Sequence, residues 1–333
     1  MSQPLLELRH LTTHYVAARG ARVVRAVEDV SLRLMPGETL GIVGESGSGK
    51  TTLALSLVRL LPQGARVVSG QILFEGEDLL DKSPAEMRRI RGKRIGMILQ
   101  DPLASLNPLF TIGDQVGEPL RVHDGASRAS AWSRAAGLLR AVRIPAPEMR
   151  LREFPHQMSG GMRQRIVGAI AVSCNPRLLI ADEPTTSLDV TIQSQYLSLL
   201  RELQRAYGLA LVFITHNLGI VARMCDTVAV MYAGRLVEIG PVRRIFDRPA
   251  HPYTRALLEA MPRLTDPGQR LTAIDGQPPD LSALPPGCAF HPRCLSAVDR
   301  CRAEVPPEVR VAANHTGSCW LATPKDAAAG VRA

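Results

Sequence analysis

The chain has 333 residues, of which 45% are hydrophobic, and its formal net charge at pH 7 is +9. This length and composition predict one large domain with an appendage and exclude a chain that is disordered throughout. The apolar stretches 53–61 and 166–181 are too short or are interrupted by polar residues, and the start Met1-Ser2-Gln3-Pro4 lacks a basic and apolar leader, so we expect a cytosolic protein without membrane-spanning helices.

A glycine-rich loop follows the first predicted buried strand. Residues 40–43 have β character, residues 52–61 are helix-like, and between them the chain reads Gly44, Glu45, Ser46, Gly47, Ser48, Gly49, Lys50 and Thr51. Strand, glycine loop and helix in this order form a phosphate-binding arrangement, because the backbone N–H groups and the helix N-terminus face an anion. Lys50 would contact the β- and γ-phosphates and Thr51 would bind Mg²⁺. The loop predicts nucleotide binding, and a plain surface turn is the alternative.

A second predicted strand ends in two acidic residues. Residues 177–181 are apolar, and Asp182 and Glu183 follow directly. Ligands of α/β proteins bind at the carboxyl ends of parallel strands, so we expect Asp182 to organise the Mg²⁺ shell and Glu183 to act as general base on the attacking water. A solvated pair of strand-end acids is the alternative.

A helix start between these two motifs indicates the family. Residues 158–165 read Met-Ser-Gly-Gly-Met-Arg-Gln-Arg, in which Ser159 is a good N-cap and the two glycines allow an anion to approach closely. This run resembles the signature sequence of ABC ATPases, although on its own it is also typical of a capped loop. The resemblance implies that the following residues contact the ATP of the opposite subunit: Ser159, Gly160, Gly161 and Met162.

The resemblance implies further site residues. Gln100 is similar to the Q-loop glutamine that contacts Mg²⁺ and water, and His216 is similar to the switch histidine. The D-loop would be Ser187, Leu188 and Asp189. Tyr15 is placed like the aromatic residue that stacks on adenine, although a packed aromatic is an equal alternative, and Thr52 completes the predicted nucleotide contacts.

The resemblance also implies the architecture and the assembly. We expect an α/β fold with a P-loop NTPase (RecA-like) core, ABC antiparallel β and helical subdomains, and a loop-rich C-terminal extension. The nucleotide-binding domain would span residues 1–245, with the helical subdomain at about 101–175, and the extension would span 246–333. The implied partners are a second ATP-binding subunit, as a paralogous heterodimer partner, two transmembrane permease subunits and an extracytoplasmic binding protein. The chain would lie peripherally on the cytoplasmic face of the inner (plasma) membrane.

The C-terminal region points to one branch of this family. Residues 251–258 resemble the start of the extension in dipeptide and oligopeptide importer ATPases, which some nickel importers share. We therefore expect ATP hydrolysis that powers peptide import, with import of nickel or another solute, or peptide export, as alternatives. A nucleic-acid-handling ATPase is a further alternative on charge alone, but no run of five like charges occurs and we expect no nucleic acid partner.

Four cysteines cluster in this region, namely Cys288, Cys294, Cys301 and Cys319. Cytosolic thiols stay reduced, so a metal centre is favoured over structural disulfides. The spacing lacks the paired knuckles of zinc sites, and the resemblance implies a [4Fe–4S] cluster on these four residues. Zinc and free thiols are the alternatives, so the expected cofactors are ATP, Mg²⁺ and this cluster.

Overall fold

The computed structural model describes residues 3–16, 22–186, 188–261 and 273–322. The strands in this part of the chain are β1 Leu6–Val16, β2 Val23–Leu34, β3 Thr39–Val43, β4 Ala65–Phe74, β5 Glu77–Asp78, β6 Ile95–Ile98, β7 Leu178–Asp182, β8 Ala210–Ile214, β9 Thr227–Tyr232, β10 Arg235–Pro241, β11 Val309–Ala312 and β12 His315–Gly317. The helices are α1 Lys50–Leu57, α2 Pro84–Ile90, α3 Pro102–Ser105, α4 Ile112–Asp124, α5 Arg128–Ala141, α6 Pro147–Arg150, α7 Gly160–Val172, α8 Val190–Tyr207, α9 Leu218–Met224, α10 Val242–Asp247, α11 Pro252–Glu259 and α12 Asp299–Ala303.

The first of two compact units carries a parallel sheet. Its described residues fall within Met1–Leu5, Leu34–Glu38 and Phe74–Ile214. Strand β7 pairs in parallel with β6 and with β8. Every residue of β7 and β8 is buried, as expected for parallel strands that are covered on both faces. The carboxyl ends of these strands therefore meet at one edge.

Helices α4, α5 and α7 pack against one another in the first unit. Their starts are set by hydroxyl side chains that accept a backbone N–H in the first turn: Thr111 for α4, Ser127 for α5 and Ser159 for α7. Helix α4 ends at Gly125, which takes the left-handed conformation with φ of 64°, the usual way to end a helix. These local signals account for the helix boundaries.

The second unit carries the glycine-rich loop and the C-terminal region. Its described residues fall within Leu6–Arg33, Thr39–Leu73 and Thr215–Ala333. Strand β3 pairs in parallel with β9, and β9 pairs antiparallel with β10. Strands β2, β1 and β4 lie side by side in that order in a separate sheet.

The C-terminal region adds two strands to the sheet of the second unit. Strand β12 pairs antiparallel with β10, and β11 pairs with β12. Glu238, which is 1% exposed, accepts hydrogen bonds from the backbone N–H groups of Ala250 and His251 and lies 2.7 Å from Nε2 of His315. This buried carboxylate fixes both the start of α11 and strand β12 to β10.

None of the helices within the described residues is long and apolar enough to cross a membrane.

Candidate nucleotide-binding site

The glycine-rich loop connects β3 to α1 in the second unit and closes tightly against its neighbours. A Cβ atom on Gly49, whose φ is 101°, would lie 2.0 Å from the carbonyl oxygen of Ala26. A Cβ atom on Gly44 would lie 2.2 Å from the carbonyl oxygen of Met231. Larger residues at these two positions would displace the backbone, so the tight loop requires glycine there.

Lys50 lies at the start of α1 and its side chain turns back into the loop. Its Nζ atom donates to the carbonyl oxygens of Gly44 at 2.9 Å and Glu45 at 2.8 Å, and the residue is 5% exposed. An ammonium group held by carbonyl oxygens inside a glycine loop can exchange these partners for the oxygens of a phosphate group. The phosphate contact of Lys50 stays a prediction, and it requires this exchange of partners.

The next two residues of α1 face different surroundings. Thr51 is exposed, whereas Thr52 is largely buried, and its hydroxyl lies 3.1 Å from Oη of Tyr15. Tyr15 is therefore attached to the first turn of the helix that follows the loop. This hydrogen bond places the predicted adenine-stacking residue, which lies in β1, beside the helix that carries predicted phosphate contacts.

His216 follows β8 and belongs to the second unit. The backbone N–H of the preceding residue, Thr215, donates to the carbonyl oxygen of Ile42 at 3.1 Å. Since Ile42 lies near the end of β3, His216 is placed beside the strand that leads into the loop. Its side chain is exposed, as a residue that contacts a ligand requires.

Asp182 and Glu183 end strand β7 in the first unit. Asp182 is 1% exposed. Glu183 takes a left-handed backbone conformation with φ of 45°, and its N–H donates to the carbonyl oxygen of Ile214 at 3.0 Å. The Thr186 hydroxyl donates to Oε2 of Glu183 at 2.7 Å. Thr186 therefore orients this carboxylate, a role that no pattern in the sequence predicts.

Gln100 lies at the same edge of the parallel sheet as the two acids. Ile98 pairs with Ala181, so Gln100 and Glu183 each lie two residues beyond this pair at the ends of β6 and β7. Gln100 is exposed. Within the first unit, the predicted glutamine and the predicted carboxylates thus occur together.

The signature residues begin helix α7. Oγ of Ser159 accepts from the N–H of Met162 at 3.3 Å, and both Ser159 and Gly160 are exposed. A Cβ atom on Gly160 would meet nothing within 4 Å, whereas one on Gly161 would lie 2.9 Å from Cγ2 of Ile192. The helix start at Ser159 and Gly160 is therefore an exposed surface, and a helix N-terminus of this kind can bind an anion.

The predicted D-loop is only partly described. Ser187 lies outside the described residues. Leu188 is half-buried, and Asp189 is the N-cap of α8, where its Oδ1 accepts from the N–H of Ile192 at 3.0 Å. Because Ile192 also contacts Gly161, the start of α8 lies against the start of α7.

The four clustered cysteines line one small cavity in the second unit. All four are free thiols, and the backbone N–H of Cys288 donates to the carbonyl oxygen of Cys301 at 2.8 Å. Burial raises the pKa of Cys288 to about 11 and also raises the pKa of Cys294 and of Cys319. These thiols are therefore protonated at neutral pH until a cation displaces their protons. Within the described residues, no group of three or more His, Cys, Asp or Glu is arranged to hold a metal ion.

Two residues that the sequence did not indicate contact the glycine-rich loop. Arg293 binds the carboxylate of Glu45, and the hydroxyl of Tyr253 accepts from the backbone N–H of Glu45. Both lie in the C-terminal region, more than two hundred positions away in the chain. No local pattern could have revealed contacts of this range.

Comparisons with protein families match both parts of the chain. A model described as "ABC transporter" matches residues 27–186, and one described as "Oligopeptide/dipeptide transporter, C-terminal region" matches residues 237–301. The chain is 50% identical to a putative peptide import ATP-binding protein of Brucella melitensis, over 95% of this chain and 97% of the relative. It is 48% identical to the dipeptide transport ATP-binding protein DppD of Bacillus subtilis, over 96% and 95%. It is 45% identical to the oligopeptide transport ATP-binding protein OppD of Haemophilus influenzae, over 97% and 98%.

Solved structures agree with this match. The chain is similar to a dimeric ATP-binding cassette in a post-hydrolysis state bound to ADP and Pi, with a TM-score of 0.64 and 28% identity over 72% of this chain and 99% of that chain. It is also similar to a component of the cbiONQ ABC transporter complex from Clostridium perfringens, with a TM-score of 0.63 and 27% identity over 74% and 92%. These likenesses confirm the predicted fold, an α/β ATP-binding cassette with an antiparallel β subdomain and a mixed central sheet.

Proposed function

This chain belongs to the oligopeptide/dipeptide family of ABC transporter ATP-binding proteins, and we propose from this premise that it hydrolyses ATP to power the import of dipeptides and oligopeptides. One observation carries the peptide assignment. The similarity to peptide-transport proteins runs through the ATPase core and on through the C-terminal region, over 95% of the chain for the Brucella melitensis protein. The predicted family and the predicted ATPase activity are thereby confirmed.

Each of the predicted site residues would have a separate role in ATP binding or hydrolysis. Lys50 would balance charge on the β- and γ-phosphates, and Tyr15 would stack on adenine. Glu183, held by Thr186, would accept a proton from the attacking water, while His216 would contact the γ-phosphate. Phosphoryl transfer depends mostly on positioning and charge neutralisation, and these side chains would supply both.

Three oxygen-bearing side chains would hold Mg²⁺, namely Thr51, Gln100 and Asp182. A hydroxyl, an amide oxygen and a carboxylate are the hard donors that this ion prefers, and a transport ATPase needs few protein ligands because the phosphates supply the others. The fit rests on this donor set and on the buried position of Asp182. When bound, Mg²⁺ would neutralise the charge that develops on the transferred phosphoryl group.

A complete site would require a second ATP-binding subunit. The open start of α7, with Ser159, Gly160, Gly161 and Met162, would face the ATP of that subunit, and the D-loop residues 187–189 would lie beside it. One structurally similar cassette is a dimer with ADP and Pi bound. A head-to-tail pair closed by ATP would exclude water from the reacting phosphate, and hydrolysis would reopen it.

The chain forms part of an ABC transporter complex, for which we propose the composition. The second ATP-binding subunit would be a paralogue, two permease subunits would form the membrane path, and an extracytoplasmic protein would deliver the peptide. The chain would bind peripherally to the cytoplasmic face of the inner membrane, and movement near Gln100 would be passed to the permease subunits.

The cysteine cavity would hold a [4Fe–4S] cluster, with zinc as the alternative. The four thiols that line one cavity are the donor type that such a cluster uses, and they would have to move closer together on binding it, because the described residues contain no group already arranged to hold a metal ion. When bound, the cluster would join the segment 288–294 to α12 and to the residues after β12. We would measure iron, acid-labile sulfide and zinc in protein purified without oxygen. About four iron and four sulfide per chain, lost in Cys288→Ser but kept in Cys225→Ser, are expected; zinc or no metal would overturn the cluster.

Transport by the whole complex tests the proposed function. The complex is reconstituted in vesicles with its binding protein, and uptake of labelled peptide is measured together with ATP hydrolysis. Glu183→Gln should bind ATP but stop both hydrolysis and uptake, and the control Glu148→Gln, at an exposed ion pair with Arg140, should change neither. Normal hydrolysis in Glu183→Gln would refute the general base, and ATP-driven uptake of nickel without uptake of peptide would refute the substrate class.

A further inference from the structure

The C-terminal region forms an ion pair with the side chain of Glu45, the second residue of the glycine-rich loop. The two terminal nitrogens of Arg293 donate to the two carboxylate oxygens of Glu45 at 2.7 and 3.0 Å. The side chain of Arg293 is only 5% exposed and that of Glu45 is 26% exposed. A bidentate pair shielded from water in this way is stronger and more directional than a surface ion pair.

The same region also forms a hydrogen bond with the backbone of Glu45. The N–H of Glu45 donates to Oη of Tyr253 at 3.0 Å, and Tyr253 is fully buried in helix α11. The ring of Tyr253 packs against the rings of Tyr232 and Phe290, with centroids 4.6 and 5.3 Å apart. Glu45 is thus held at its side chain and at its main chain by groups that are themselves fixed.

Arg293 is rigidly held on its own side. Its Nε atom donates to the carbonyl oxygen of Asp275 at 2.9 Å, and its terminal nitrogens also donate to the carbonyl oxygen of Ile274 and to Oη of Tyr232, each at 3.3 Å. A guanidinium with this many partners has one available orientation. The position of Glu45 is therefore set by the C-terminal region.

Two physical effects connect these contacts with Glu45 to the affinity for nucleotide. A loop with glycine at positions 44, 47 and 49 has little rigidity of its own, and a loop that is ordered before binding loses less entropy when the phosphates arrive. Arg293 also neutralises a carboxylate that belongs to the same loop as the phosphate contacts, and an unpaired carboxylate there would repel the nucleotide. Both effects favour tighter binding when the pair is intact.

We infer that Arg293 is a positioning residue for the phosphate loop, and that through Glu45 it sets the affinity of this chain for ATP. This inference rests on the assignment of residues 44–51 as the phosphate loop. It assigns the C-terminal region a part in nucleotide binding.

The turn that carries Arg293 is also part of the cysteine cavity. The 3-10 turn His291–Arg293 is followed directly by Cys294, and Nδ1 of His291 lies 2.9 Å from the carbonyl oxygen of Cys288. Cys288 and Cys294 both line the cavity. A rearrangement of this cavity would therefore move Arg293 and change the affinity for ATP.

The test measures the affinity of the full chain for a non-hydrolysable ATP analogue by calorimetry. Arg293→Ala should weaken binding about tenfold, because the loop is freed and Glu45 is left without its partner. Adding Glu45→Gln to this variant should restore part of the affinity, since the repulsive carboxylate is removed. In the assembled complex, KM for ATP should rise in Arg293→Ala while kcat stays within about twofold.

A matched control separates the loss of the Arg293–Glu45 pair from the loss of any other ion pair with the C-terminal region. Arg22 forms an exposed pair with Asp280 and also donates to Ser282, away from the loop. Arg22→Ala should leave the affinity within about twofold of the unmodified chain. Hydrogen exchange of the amides of residues 44–49 should be faster in Arg293→Ala and unchanged in Arg22→Ala.

A second variant guards against simple unfolding around Arg293. Tyr253→Phe keeps the aromatic packing and removes only the acceptor for the Glu45 N–H, so the exchange of that amide should become faster and the affinity should fall about threefold. Unchanged affinity in Arg293→Ala would overturn the inference, whatever the result for Tyr253→Phe. A weakening by Arg293→Ala that is just as large in a Glu45→Gln background as in the unmodified chain would also overturn it, because the effect would not pass through the Glu45 carboxylate.

A further variant distinguishes an error in the inference about Arg293 from an error in the assignment of residues 44–51 as the phosphate loop. Lys50→Ala should abolish binding of the analogue if residues 44–51 hold the phosphates. Retained binding in Lys50→Ala would refute the assignment itself. Lost binding in Lys50→Ala together with unchanged binding in Arg293→Ala would refute only the inference about Arg293.

Discussion

Glu183 combines two local features that prepare its carboxylate for a defined task. Its backbone takes the left-handed conformation with φ of 45°, which a residue with a Cβ adopts at a cost of about 1 kcal/mol. Its Oε2 atom accepts from the hydroxyl of Thr186 at 2.7 Å. A strained backbone and a hydrogen-bonded carboxylate at a strand end are typical of a functional residue, and they give Thr186 a positioning role.

Thr186→Val should therefore slow ATP hydrolysis without weakening ATP binding. The change removes one hydrogen bond that is worth about 1 kcal/mol, which corresponds to roughly a fivefold fall in kcat, and KM for ATP should stay the same. Steady-state hydrolysis by the assembled complex measures both constants. Thr186→Ser keeps the hydroxyl and should behave like the unmodified chain; a similar loss in the serine variant would contradict a role through this hydrogen bond.

The residues of the site differ in how far the sequence could predict them. The loop 44–51 was recognisable because its glycines and Lys50 lie next to one another and the flanking strand and helix have clear patterns. The pairing of Arg293 with Glu45 joins residues 248 positions apart, and a lone arginine in a proline-rich region gives no local signal. A functional motif whose residues are adjacent in the chain is thus predictable from sequence. A contact between residues that only the fold brings together is not.

Helix α11 begins with a buried histidine whose protonation state matters. Nδ1 of His251 accepts from the N–H of Tyr253 at 3.0 Å, so His251 caps the helix that presents Tyr253 to the phosphate loop. Burial lowers the pKa of His251 to about 4, although the nearby Glu238 acts in the opposite direction. The neutral ring is needed because a protonated Nδ1 cannot accept this hydrogen bond.

The stability of the chain should fall as the pH falls from about 6.5 towards 4. The unfolded chain, in which the histidine pKa is about 6.5, binds a proton in this window that the folded chain does not bind. His251 therefore contributes fully above pH 6.5, and about 2 kcal/mol of its contribution is lost between pH 7 and pH 5. Urea unfolding at these two pH values measures the difference.

The control for this prediction is His251→Asn, which keeps a capping side chain but does not titrate. The loss of unfolding free energy between pH 7 and pH 5 should be smaller in this variant than in the unmodified chain. An equal loss in the two proteins would show that His251 titrates at its ordinary pKa in the fold.

The elements of the C-terminal region were the hardest to predict. The many prolines indicated loops, and the described part of the region does contain long segments without regular structure. Strands β11 and β12 nevertheless extend the sheet of the second unit, because β12 pairs with β10 and the buried Glu238 binds His315. Strands of three and four residues show no periodicity in a sequence, and a buried glutamate is recognised only once its partners are in place.

At the scale of the whole molecule, the start of α7 is the surface that we propose to complete the nucleotide site of a second subunit. Ser159 and Gly160 are exposed, and the space around Gly160 is open. An exposed helix start of this kind can bind an anion that another subunit carries. A substitution at this helix start should therefore damage the assembled pair and leave the isolated chain intact.

Gly160→Ala should abolish most ATP hydrolysis while leaving the chain as stable as before. The added methyl group meets no atom of the described residues within 4 Å, and alanine favours the helical conformation more than glycine does. In the assembled pair the methyl group would meet the partner's nucleotide, so hydrolysis should fall by at least about tenfold. The affinity of the isolated chain for ATP and its unfolding temperature should not decrease.

Gly137→Ala provides the matched control, since Gly137 lies in helix α5 and a Cβ atom there also meets nothing within 4 Å. This variant should leave hydrolysis and ATP affinity unchanged. Its unfolding temperature should be unchanged or higher. Normal hydrolysis in Gly160→Ala would mean that the start of α7 does not approach the partner's nucleotide. Lost ATP affinity in the isolated Gly160→Ala chain would instead place this residue against the chain's own nucleotide, because only a contact within one chain can act before the pair has formed.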